Sequence, residues 1–240
     1  MFEAEERLMV DQAFSGNGER EFEKVLSPEA RHIFSSVYGN LLAAGFGNGQ
    51  KVVLICGPSG GEGASTVALG LAAAAAGFQE NQVLLVDGNL RRPTLSKALA
   101  VAGEPGMQGI LTGRTELDEF KMREVLPGLQ FLGAGVTPAD EITSPVLTRI
   151  PQLIAGLCSR YSLIVLDGPA VNRYPESILY APYVDLVLLV LRAGVSRGPV
   201  VERALAKFTG PARDKVEIIL NRRKNTIPQW AYKRLGGHGS

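Results

Sequence analysis

Lys51–Thr66 reads KVVLICGPSGGEGAST, and the fold turns on how that line is parsed. KVVLI (51–55) is an unbroken aliphatic, β-branched run, as expected of a short strand covered on both faces. Glycines then crowd in at Gly57, Gly60, Gly61 and Gly63, and the text restarts as STVALGLAAAAAGF, an alanine-rich stretch that favours helix. A strand that dissolves into glycines and resumes as a helix gathers backbone N–H groups at the positive end of the helix dipole, where an anion is favoured. The same residues also suit a plain tight connection. Between Cys56 and Thr66 there is no lysine or arginine, and the position before the Ser65-Thr66 pair is Ala64.

Outward from this stretch, strand-like and helix-like segments alternate. QVLLVD (82–87) is a second strand ending in aspartate, and PTLSKALAVAG (93–103) a short helix. Residues 104–128 carry mixed signals, and LQFLGAG (129–135) is a strand entering a loop. SPVLTRIPQLIAGLCSRY (144–161) is a helix in which Pro151 marks either the start or a kink. SLIVLDGPA (162–170) and VDLVLLVLR (184–192) are strands, RGPVVERALAKFTG (197–210) a helix and VEIILNRR (216–223) the last strand. Upstream, Ser27-Pro28-Glu29 starts a helix with an N-cap serine, a first-position proline and an acid at the dipole's positive end. That helix would place Ile33, Val37 and Leu41 on one face. Continuous apolar strands alternating with helices predict an α/β fold, a mostly parallel central sheet with helices on both faces. Residues 1–26, charged and acid-leaning, are expected to form a poorly ordered arm, and 27–240 a single domain.

Composition narrows the class. The 240 residues are 45% hydrophobic and 20% charged, enough for a well-filled core. The net charge is +1 with dispersed basic residues, so no nucleic-acid partner is expected. Cys56 and Cys158 sit in apolar text and read as small core residues, and with only His32 and His238 no zinc site is expected. MFEAEERLMV lacks the pattern of a secretory signal, and the apolar runs fall short of the roughly 20 residues of a spanning helix. The expectation is a cytoplasmic chain, or one held at the inner face of the cell membrane through a partner.

In a parallel sheet, ligands collect at the carboxyl ends of the strands. Three strands here run into polar text at that edge: KVVLIC into GPSGGEGAST, QVLLV into DGNLRRP, and SLIVL into DGPA. Taken singly, the glycine loop can be a turn, and Asp87 or Asp167 an N-cap. Taken together, N–H groups around Gly60, Gly61 and Gly63 would cradle an anion, the Ser65 hydroxyl would sit where a magnesium ligand is needed, and Asp87 and Asp167 would hold that ion or orient a nucleophile. Arg91-Arg92-Pro93 reads as a phosphate contact or a solvated turn.

These residues resemble the bacterial tyrosine kinases of capsule and exopolysaccharide export, cousins of the ParA/MinD deviant P-loop ATPases. The resemblance covers about Ser27 to Leu235. The family's PGEGKST loop is matched by Gly60-Gly61-Glu62-Gly63-Ala64-Ser65-Thr66, and its apolar-DxDxR motif by LLVDGNLRRP, with Asp87, Asn89 and Arg91 in the named places. Its third motif, an apolar strand and an aspartate, is matched by YSLIVLDGPA with Asp167. Asn221 falls where relatives contact adenine. The resemblance implies a P-loop NTPase fold with ATP or ADP and Mg2+ as ligands. Residues 60–66 and Asn221 would bind the nucleotide, and Ser65, Asp87 and Asp167 the ion.

The departures decide the activity. Ala64 replaces the lysine that pairs with the phosphates, Ser59 falls on the ParA/MinD signature lysine, and Asn89 replaces the second aspartate. The family's ExxRxxR assembly motif falls on His32, Ser35 and Tyr38, and the tyrosine-rich tail is missing after Tyr232. A charge-assisted hydrogen bond contributes roughly 1.5–3 kcal/mol, so losing the lysine weakens ATP about tenfold to a hundredfold. The resemblance therefore implies a catalytically impaired relative, with nucleotide binding weak or absent and no residue assigned as catalytic; Asp87, Arg91 and Asp167 are retained family positions. Its implied role is regulation or scaffolding in capsule- or holdfast-type exopolysaccharide synthesis and export, beside a membrane-anchored co-polymerase or chain-length protein. A homodimer is implied more readily than an octameric ring. Two other readings stay open: a working ATPase or autokinase using an unconventional cation, and an interaction module independent of nucleotide.

Overall fold

Where the sequence shows unbroken apolar runs, the chain forms strands with every residue buried. This holds for Val52–Cys56, Val83–Asp87 and Leu163–Asp167. The structure is a computed structural model and describes residues 28–47, 49, 51–78, 82–136 and 147–222. The arm expected over 1–26, and the tail with Trp230 and Tyr232, lie outside the described residues.

In chain order the elements are α1 (Pro28–Ala43), β1 (Val52–Cys56), α2 (Ala64–Ala76), β2 (Val83–Asp87), α3 (Thr94–Ala98), α4 (Met107–Thr112), β3 (Arg123–Leu126), β4 (Leu129–Leu132) and α5 (Ile150–Cys158). They continue with β5 (Leu163–Asp167), α6 (Glu176–Tyr180), a 3-10 turn (Ala181–Tyr183), β6 (Leu186–Arg192), α7 (Gly198–Lys207), α8 (Pro211–Asp214) and β7 (Val216–Asn221). The sheet order is β3-β4-β2-β5-β1-β6-β7, with every neighbour parallel except the β3–β4 pair. This is the expected α/β architecture. The mixed segment 104–128 resolves into α4 and β3, the antiparallel edge strand.

Alternate strand residues supply two cores. Val52, Leu54, Leu84, Val86, Ile164 and Leu166 face one way, towards α4, α5 and α6. Val53, Ile55, Leu85 and Val165 face the other, towards α1 and α2. Pro151 stands in the first turn of α5, so it marks a start and not a kink. Cys56 is fully buried, and burial pushes its thiol up to about 12, the state of an inert core residue. Among the described residues, no helix is long and apolar enough to cross a membrane.

One sequence expectation is corrected on α1. Ile33 is 59% exposed, and the packed face is instead Phe34, Val37, Tyr38 and Leu41. Gly70 in α2 explains the rotation: a Cβ there would collide with the Phe34 ring, so the missing side chain is the slot that Phe34 fills. Tyr38 is buried, with its ring edge-on to Phe78 at 5.1 Å, and is not presented for modification. His32 and Ser35 face solvent.

Candidate functional site

The order β2-β5-β1 brings three carboxyl ends side by side, and with them the glycine loop and both aspartates. Gly60, Gly61 and Gly63 adopt φ of +93°, +92° and +89°, a left-handed path that side-chain-bearing residues resist. The path leaves the N–H groups of Gly61, Gly63, Ala64 and Ser65 without an acceptor among the described residues. Glu62 holds that shape from beneath. Its buried carboxylate accepts from the N–H of Ser59 (3.0 Å) and of Gly60 (2.7 Å). Glycine at 57 is what admits it, since a Cβ there would lie 2.5 Å from a Glu62 oxygen.

Asn221, at the end of β7, closes the loop from the far side. Its Nδ2 donates to the Glu62 carbonyl at 2.9 Å, and its Oδ1 accepts from the Arg222 N–H at 2.8 Å. Both ends of the amide are thus engaged by backbone, which braces the loop, and one N–H and one lone pair of the amide are left over.

The two aspartates lie in register on neighbouring strands, Asp87 opposite Asp167, yet differ in occupation. Asp87 accepts from the N–H and hydroxyl of Ser96 (both 2.8 Å) and from the Asn89 N–H (3.2 Å). The Ser96 hydroxyl in turn accepts from the Ala134 N–H at 2.8 Å. Burial pushes the Asp87 carboxyl up to about 6 against the pull of these bonds. Asp167 is 1% exposed and neither of its oxygens has a hydrogen-bond partner. Burial first, and the neighbouring Asp87 carboxylate second, hold its pKa well above the usual carboxylate range, with Ser65 close enough to temper the rise. An orphaned buried carboxylate beside a hydroxyl fits a divalent cation. Ser65 and Asp167 would hold Mg2+ here, with Asp87 beside them accepting one bond on Oδ1 and two on Oδ2.

These loops surround a cleft of about 480 Å³. Residues 59–66 form one wall; Asn89 and Arg92 come from the loop after β2, Thr94 from the start of α3, and Gly168, Ala170, Arg173 and Tyr174 from the loop after β5. Arg91 is not part of that wall. Its Nε donates to the fully buried Glu176 at 2.6 Å and its guanidinium lies 5.9 Å from the Tyr174 ring centre, so it fastens the two loops together. The second Glu176 oxygen has no partner, which makes Arg91 the only cation paired with that carboxylate among the described residues. Arg91→Ala is expected to cost about 2–4 kcal/mol of stability by stranding the acid, and Glu176→Gln distinctly less. Urea titration of both variants gives the order, and equal losses would contradict the pairing. Arg173, Tyr174 and Glu176 were not singled out in the sequence, although VNRYPES follows directly on a strand-terminal aspartate.

No family model matches the sequence. Among solved structures, the VpsO kinase domain superposes with a TM-score of 0.69 at 30% identity, covering 82% of this chain and 95% of that one. The chain belongs to the bacterial tyrosine kinase family. EpsB of Ralstonia solanacearum, which carries a tyrosine-protein kinase name, is 32% identical over 144 residues, 60% of this chain. The chain spans about a fifth (19%) of that relative's length. The archaeal MinD of Pyrococcus horikoshii, solved with Mg-ADP, shares the fold at a TM-score of 0.57 and 22% identity, covering 77% of this chain and 76% of that one. The glycine path, Ser65 and the two strand-terminal aspartates lie at the same carboxyl edge of the sheet, and Ala64 and Asn89 stand within the cleft wall.

Proposed function

We propose that this chain is a catalytically impaired member of the tyrosine kinase family, a regulatory or scaffold component of exopolysaccharide synthesis and export. The observation that carries the reading is Ala64. It opens α2 inside an otherwise well-formed anion cradle, where a side-chain cation would have to stand to meet the phosphates. Asn89 in the same wall removes a negative charge from the metal side. Preorganised electrostatic groups of this kind contribute on the order of 10²–10³ in rate, so fast phosphoryl transfer is not expected. Backbone N–H groups, Ser65 and Asp167 still support weak Mg-nucleotide binding.

In this reading a single P-loop domain over 27–240 works on the cytoplasmic side, in contact with a membrane-anchored co-polymerase or chain-length protein, as a monomer or homodimer. Relatives carry kinase names, which supports the family; the impaired reading rests on Ala64 and Asn89. Calorimetry with Mg-ATP, run beside a radiolabelled autophosphorylation assay, tests it. Weak binding without turnover is the expected result. Tight binding with label transfer by the unmodified chain would overturn the impaired reading.

A further inference from the structure

The cleft holds two arginines that nothing else in the described structure engages. Arg92, from the loop after β2, and Arg173, from the loop after β5, both line it, both are exposed, and neither guanidinium makes an ion pair or hydrogen bond among the described residues. Their neighbours are spoken for: Arg91 is tied to Glu176, and Lys207 donates to the Val171 carbonyl. The Arg91–Glu176 pair and Tyr174 fasten the two arginine-bearing loops to each other. Across the cleft stand the unaccepted N–H groups of the glycine loop, which attract an anion but carry no full charge. Beneath lies Asp167, buried and without a partner, which fits a cation accompanying that anion.

We propose that Arg92 and Arg173 form a two-sided clamp that supplies the positive charge missing at Ala64, and that the ligand they select is a polyphosphate chain, as in a nucleoside triphosphate. Guanidinium groups suit this task, since their planar fork meets phosphate oxygens in pairs and their charge is permanent. The placement differs from that of a loop lysine. A lysine at 64 would rise from within the cradle, whereas the arginines close over it from two other loops, so they hold the phosphates without standing at the reacting atoms. The inference rests on the reading of the loop as a phosphate site, and it explains how binding could outlast catalysis.

The test uses the full chain with Mg-ATP and, separately, with inorganic tripolyphosphate, measured by calorimetry. Arg92→Ala and Arg173→Ala should each weaken both ligands roughly tenfold and the double variant roughly a hundredfold, with Arg→Lys at either position recovering part of the loss. Arg203→Ala, on the exposed face of α7, is the charge control and should leave both affinities unchanged. Thermal melts of every variant establish that the fold is intact. If the unmodified chain binds and the double variant binds within twofold of it, the clamp is wrong while the phosphate site stands. If the unmodified chain binds neither ligand, the phosphate site is itself refuted and the clamp falls with it.

Discussion

In chelator, the protein is expected to lose stability steadily as pH rises from about 4 to 8, with Asp167→Asn removing much of that slope. The sign follows from where protons sit. Both aspartates have folded-state pKa values above the ordinary 3.8, so through this range the folded chain holds more protons than the unfolded one. Raising the pH then favours unfolding. The contribution is fully present below about 4. For Asp87 it is lost as pH passes through about 6, and the raised Asp167 carboxyl adds a loss of the same sign. The Asp87 shift alone is of order 3 kcal/mol. Asp167→Asn should be at least as stable as the parent at pH 7.5, because it replaces a buried carboxyl that no donor satisfies. Magnesium at millimolar levels should restore part of the parent's stability at pH 7.5 and none of the variant's. Urea titrations at pH 5 and 7.5, with and without the metal, measure all of this. A flat profile in the parent, or an equally steep one in Asp167→Asn, would refute the account.

Ala64→Lys is expected to tighten Mg-ATP binding by about tenfold to a hundredfold, the share of one charge-assisted contact. The site is ready for the change. Residue 64 is already helical and half-buried at the mouth of the cradle, and lysine is a good helix former, so the substitution costs the fold little. Affinity should rise well before activity does, because Asn89 still faces the cleft where the family carries an acid. Combining Ala64→Lys with Asn89→Asp should raise ATP hydrolysis by a further factor on the order of 10²–10³. Calorimetry and phosphate release follow the two stages separately. An unchanged affinity in Ala64→Lys would mean that the cradle no longer admits phosphate in the family's manner.

How much of this could be read in the sequence depends on how local the signal is. The strands, the glycine path and the strand-terminal aspartates were legible because each is written within a few neighbouring residues: an apolar run, a break, a polar end. The face of α1 was not. Ile33, Val37 and Leu41 satisfy helical spacing, yet the absent side chain of Gly70, halfway along another helix, decides that Phe34 turns inward. Asp87 and Asp167 look alike as text, and the Asn89 N–H together with Ser96, nine residues on, separates a satisfied acid from an orphaned one. Arg91 and Arg92 are adjacent and chemically identical. Glu176, 85 positions away, takes the first and leaves the second facing the cleft. Helix α6 is only five residues long, too short for periodicity to announce it.

The bond from Asn221 to the Glu62 carbonyl joins the last strand of the sheet to its first loop across 159 positions of chain. Closing so long a stretch is slow compared with local events, so the finished shape of residues 60–63 is among the last things to form as the chain folds or leaves the ribosome. The strands and helices around the loop can assemble before β7 docks, but its latch cannot. Competence for a ligand is then a report on completion: a truncated or partly synthesised chain would own every residue of the cradle and the Glu62 brace beneath it, and still lack the contact that closes it from the far side.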